Sequence, residues 1–215
     1  MALESFQLSR WRLIAPRGSV LIRTDPRRIV YRKEWHEWPR YLKRWPFWIL
    51  GGNWDAGGRD LEPFRQRQME ELLACDGAYR ETAFYARARA ELERNGAIAE
   101  PPLHSVAELD AYLERQARIL LDIRDHGYRD QTTLSGKTAH DLTVRIDRDG
   151  RLVKCREGTH RHAMLLALGH SEATVTIDLV HKHWARRCWG EHTGSLAERL
   201  RAGLQDYGEV LQWPW

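Results

Sequence analysis

Leu142, Val144 and Ile146 alternate with Thr143, Arg145 and Asp147, and this period of two predicts a half-buried strand. Asp149-Gly150 predicts a turn after it, and Leu152-Val153 leads on toward Glu157-Gly158. Beyond Arg161 the run Ala163, Met164, Leu165, Leu166, Ala167, Leu168 predicts a buried helix closed by Gly169. Nearer the N-terminus, Val20-Leu21-Ile22 and Ile29-Val30-Tyr31 read as short strands around Asp25-Pro26. Trp48-Ile49-Leu50 runs into the Gly-rich stretch from Gly51 to Gly58. Leu61 to about Glu93 carries two helices separated at Cys75-Asp76-Gly77, and Asn95-Gly96 ends the second. Pro101-Pro102 breaks the chain, and Ser105 with Glu108 three residues on matches a capping box that starts a helix through Arg124. A last amphipathic helix spans Ser195 to about Asp206 through Leu196, Leu200 and Leu204. Strands interspersed with helices in this way give an α+β fold.

Composition narrows the class. A chain of 215 residues can bury a sizeable core. Charged residues make up 30% of it, and no apolar run reaches the roughly 18 residues needed to span a bilayer. Met1-Ala2-Leu3-Glu4-Ser5 lacks a basic region followed by an apolar one, so the expectation is a cytoplasmic protein with no membrane partner. Cys75, Cys155 and Cys188 are odd in number and widely spaced, which argues against a disulfide framework. The formal charge of +4 fits nucleic acid, polyphosphates or acidic substrates equally. Arginines between Arg10 and Arg44 alternate with Trp11, Tyr31, Trp35, Trp38, Tyr41, Trp45 and Trp48. Such interleaving stacks bases on a nucleic-acid surface or forms a lid over the core, and so many rings favour the lid.

The turn from Glu157 to Arg161 precedes the predicted apolar helix. The first backbone N–H groups of a helix lack intrahelical acceptors, and the helix dipole puts positive charge there, so an anion is favoured. Gly158 permits close backbone approach, Thr159 caps the helix or bonds an oxygen, and His160 and Arg161 add directional donors. The same residues also suit an ordinary strand-to-helix connection with the basic pair in solvent.

The stretch resembles the ParB/sulfiredoxin-like superfamily, in which a strand, a Gly-x-x-Arg or Gly-x-His-Arg turn and an Ala/Leu-rich helix ending in Leu-Gly occur in that order. Gly158, Thr159, His160, Arg161, Ala163, Leu168 and Gly169 carry the match. Leu120 to Tyr128 looks like the family's short helix followed by Gly, and Ala173 to Val180 looks like its following strand. The resemblance covers about residues 113 to 184, with a weaker echo at Thr24 to Ile29. It implies a small mixed sheet with flanking helices, divided here as an N-terminal segment with a helical elaboration (1–112) packed on a core (113–215), together one compact unit. It also implies nucleotide binding at Gly158, Thr159, His160 and Arg161, with ATP or CTP and Mg²⁺ as cofactors. Thr159 stands where sulfiredoxins carry their reactive cysteine, which disfavours sulfinate reduction, and no helix-turn-helix is evident after the motif, which disfavours partitioning of DNA.

These features lead to an ATP-dependent phosphotransferase, a kinase acting on a small hydroxylated metabolite or sugar. The alternative is a nucleotide-gated, ParB-type protein that binds DNA. Phosphoryl transfer calls for a carboxylate or base near the phosphates, and Glu157, Asp130 and His160 are the candidates, with Gln131 beside the nucleotide. Asp55 in the Gly-rich loop, and His181 and His183 at spacing two on one face of a strand, are the candidates for the acceptor. His181, His183, Cys188 and His192 match no compact zinc motif, so no metal ligands are assigned.

Overall fold

A computed structural model describes residues 20–33, 35–43, 49–61, 63–129, 142–155 and 158–213. Among them are eight strands in one mixed sheet and six α-helices, an α+β fold. The chain divides into two compact units. The first takes residues up to Leu61, Asp130–Thr159 and Ser171–Trp215, and the second takes Glu62–Arg129 and His160–His170. None of the described helices is long and apolar enough to cross a membrane.

The first unit holds the sheet. Its strands are β1 (Val20–Thr24), β2 (Tyr31–Arg32), β3 (Ile49–Leu50), β4 (Arg59–Asp60), β5 (Thr143–Ile146), β6 (Leu152–Lys154), β7 (Ala173–His181) and β8 (Gly208–Gln212), in the order β4-β2-β6-β5-β7-β1-β8. β5 and β6 form the expected hairpin, with Val144 opposite Lys154 and Ile146 opposite Leu152. Asp147 builds its turn by accepting from the backbone N–H groups of Asp149 at 2.9 Å and Arg151 at 2.8 Å, while Gly150 supplies a φ of +87°. β7 is long enough to serve two strands along one edge. Its first half pairs antiparallel with β1 and its end pairs parallel with β3.

The alternation in β5 sorts its side chains as the sequence predicts, but both faces are covered. Val144 and Ile146 join Ile22, Val175 and Ile177 in a core closed by helices Lys182–Glu191 and Leu196–Gln205 through Trp184, Cys188, Leu200 and Leu204. On the opposite face Trp38, Leu42 and Trp54 pack with Val153 and Leu179. Trp38 and Trp54 are 2% and 0% exposed, so for these rings the lid arrangement holds; Trp11, Trp45 and Trp48 lie outside the described residues. Arg145 lies beneath this cover, bonded to both carboxylate oxygens of Asp178 at 2.9 Å with its guanidinium 4.3 Å from the Trp38 ring centre.

The second unit is helical. Numbering all helices in chain order, it contains α1 (Phe64–Ala74), α2 (Ala83–Asn95), α3 (Val106–His126) and all but the first residue of α4 (Thr159–Ala167). The helices of the sheet unit are then α5 (Lys182–Glu191) and α6 (Leu196–Gln205). Thr82 caps α2 by accepting the Tyr85 N–H at 3.1 Å, and Gly96 ends it in the left-handed conformation at φ +70°. Ser105 starts α3 as expected, accepting from Glu108 N at 3.2 Å, although Glu108 reaches back to the N–H of His104 rather than to Ser105 itself. The reciprocal capping box occurs instead at Ser195-Glu198, at the start of α6. Leu109, Leu113 and Leu120 bury the α3 stripe completely, each contributing about 2 kcal/mol by the area it removes from water. The division suggested by sequence at 112/113 lies inside this helix.

Two elements depart from expectation. The sequence places His181 and His183 on one strand, but β7 ends at His181 and α5 begins at Lys182, so His183 is in a helix. β8 pairs with β1 at the sheet edge, where the sequence carries no period-two signal long enough to mark it. All three cysteines are free: Cys155 and Cys188 are buried and Cys75 is half-buried.

Candidate functional site

In the sheet unit, β6 ends in a lysine that is only 3% exposed. Lys154 Nζ donates to the Cys155 carbonyl at 2.6 Å and to Thr159 Oγ1 at 2.8 Å. Burying an ammonium costs several kcal/mol unless hydrogen bonds hold it, and here they aim it at the first residue of α4. Gly158, immediately before, has a φ of +74°, a left-handed backbone that a side chain would strain. A cation, a hydroxyl and a glycine turn thus meet at a helix N-terminus, the combination that suits an anion. The sequence singled out Gly158 and Thr159 but not Lys154. The signal available was a lysine at the end of a strand five residues before the threonine, and nothing in it distinguishes a buried lysine from a solvated one.

Asp55, His181 and His183 also come together in the sheet unit. The Asp55 side chain, 2% exposed, accepts from Arg148 through its backbone N–H at 2.9 Å, Nε at 2.8 Å and Nη2 at 2.6 Å. Burial alone would raise its carboxyl pKa, but these bonds outweigh burial and hold it at about 2. His181 is 1% exposed. Its Nδ1 accepts the His183 N–H at 3.0 Å, so the proton of the neutral ring sits on Nε2 and is donated to the Gly52 carbonyl at 2.9 Å. Burial lowers its pKa, which favours this neutral form. Lys33 donates to the carbonyls of Trp54, at 2.8 Å, and Ala56. Asp55, His181 and Lys33 therefore clamp the Gly51–Gly58 loop, while the His183 ring stands exposed beside His181 with centroids 4.7 Å apart.

His160 and Arg161 are half-buried in the helical unit. His160 Nε2 lies 2.6 Å from the hydroxyl of Tyr112 on α3. Arg65 on α1 donates to that hydroxyl at 3.3 Å and to Gln68 Oε1 at 3.1 Å. Burial raises the Tyr112 pKa, only partly offset by Arg65, so the phenol keeps its proton. Arg65 can only donate to its oxygen, which directs the phenol proton to His160 Nε2. Tyr112, Arg65 and Gln68 were not foreseen. Glu157, Asp130 and Gln131 lie outside the described residues.

No family model, curated protein or solved structure matches the chain. Among the described residues no group of three or more His, Cys, Asp or Glu side chains could hold a metal ion.

Proposed function

We propose that the chain binds a nucleotide and transfers a phosphoryl group from ATP to a small hydroxylated acceptor, as a member of the ParB/sulfiredoxin-like group. The observation that carries this reading is the Lys154 ammonium held 2.8 Å from Thr159 Oγ1 at the start of α4. The succession of β6, the Gly158 turn, α4 and β7 supports the resemblance, because it is the order the superfamily uses. In this reading Lys154, the Gly158 turn and Thr159 cradle the phosphates. Phosphoryl transfer gains most from positioned phosphates and neutralised charge, which is what a buried lysine at a helix N-terminus supplies. Asp55 and Asp147 are each engaged by an arginine, and no described residue is assigned to Mg²⁺.

Calorimetric titration with ATP, CTP, GTP and inorganic phosphate tests the reading. ATP binds the wild type, and Lys154→Met weakens binding about 10- to 100-fold, the value of one hydrogen bond to a charged group. Absence of binding by every nucleotide, or unchanged binding in Lys154→Met, removes the proposal. Tighter binding of CTP than ATP, with salt-sensitive attachment to DNA, moves it to the DNA-binding alternative.

A further inference from the structure

The helical unit buries polar atoms that its own side chains leave unmatched. Gln68 on α1 and Gln116 on α3 are 2% and 3% exposed. Gln68 Oε1 accepts from Arg65 Nη1 at 3.1 Å, and because a guanidinium only donates, this bond fixes the orientation of the amide. Gln68 Nε2 then faces the Tyr112 hydroxyl without reaching full hydrogen-bond distance of any acceptor, and Gln116 Oε1 is an acceptor with no donor. Gln116 stands one helical turn beyond Tyr112, on the same face of α3. Arg65 completes the group, its side chain 11% exposed, and the carboxylate it faces, Glu100, is 3.8 Å away and 76% exposed.

Buried amides without partners are rare because each forfeits its hydrogen bonds to water, and a nearly buried cation calls for a closer negative charge than Glu100 offers. The two deficits are complementary in type. Arg65 and Gln68 Nε2 lack an anionic oxygen, and Gln116 Oε1 lacks a hydrogen-bond donor.

We propose that Arg65, Gln68, Tyr112, Gln116 and His160 form a binding site for a small hydroxycarboxylate. Its carboxylate is taken by Arg65 and the Gln68 Nε2 donor, and its hydroxyl donates to Gln116 Oε1. The Tyr112–His160 pair supplies the polar wall beside it. A molecule with only one of the two groups leaves one amide unmatched, so the site discriminates by requiring both. The inference stands on the helical unit alone and needs no bound nucleotide.

Thermal unfolding of the full chain, without nucleotide, tests it with glycolate, malate and citrate as probes and with acetate and ethylene glycol as controls lacking one group. The hydroxycarboxylate that fits raises Tm by about 5–10 °C at saturation, and the controls do not. Gln116→Met, similar in volume and without the orphaned oxygen, abolishes that rise. Gln68→Met serves the same purpose should the first variant fail to fold. Wild type showing no rise beyond that with acetate overturns the site, as does a rise that persists in the Met variant. An ordered water that satisfies the two amides gives the first of these results. Because nucleotide is absent throughout, a negative result leaves the Lys154 reading intact, and loss of nucleotide binding leaves this one intact.

Discussion

Asp55 illustrates how one carboxylate organises a loop. Its two oxygens receive three donors from Arg148, which tie the Gly51–Gly58 loop to the β5–β6 turn, while His181 separately holds the Gly52 carbonyl at the end of β7. Since the folded pKa of about 2 lies below the ordinary 3.8, the unfolded chain takes up the proton first as pH falls. The stabilisation is therefore complete above about pH 4 and disappears as pH falls toward 2, and its size is on the order of 2 kcal/mol. Asp55→Asn is expected to be less stable than wild type by this amount at pH 7, with the difference closing between pH 4 and 2 in urea unfolding. A difference that stays constant across that range would show that the ion pair is not its origin. At the same scale, Lys154 marks a limit of what sequence reveals. A lysine reads as solvated wherever it occurs, and only the surrounding backbone turns it inward to Thr159.

Among the elements, α6 packs against α5 so closely at Gly203 that no side chain fits there. A Cβ at Gly203 would lie 2.4 Å from Cys188 Sγ and 3.3 Å from the Trp184 ring, closer than atoms can pack. Gly203→Ala should accordingly destabilise the protein by about 1–3 kcal/mol in equilibrium unfolding, despite the helix propensity that alanine adds. Adding Cys188→Ala should recover part of the loss, and a double variant no better than Gly203→Ala alone would count against this contact. Sequence periodicity located α1, α2, α3, the β5–β6 hairpin and α6 because each has an apolar stripe or alternation of useful length. It missed α5, whose sequence from Lys182 to Glu191 is mostly charged and aromatic and buries only Trp184, Ala185 and Cys188. It also passed over Tyr112 and Gln116. Hydropathy marks a buried helix face by its leucines, and a polar group on that face carries no signal until the opposing helix is known.

At the scale of the whole molecule, the chain enters the helical unit twice, through Glu62–Arg129 and again through His160–His170. The turn that the sequence singled out lies at one of these crossings, since Thr159 belongs to the sheet unit and His160 to the helical one. Local pattern locates such a turn but does not reveal the division, because division depends on contacts between distant segments rather than on neighbours along the chain. The two units can be followed separately through their thiols. Cys188, in the sheet unit, is buried and its thiol is pushed up to about 12 by burial, so at neutral pH it offers neither access nor thiolate. Cys75, in the helical unit, is half-buried. Under native conditions a maleimide should modify Cys75 first, and Cys188 only as often as the sheet unit opens; equal rates at the two positions would contradict the packing around α5. The slow phase of that reaction is then a clock, set by the opening equilibrium of the sheet and readable by mass spectrometry without denaturant or engineered probe.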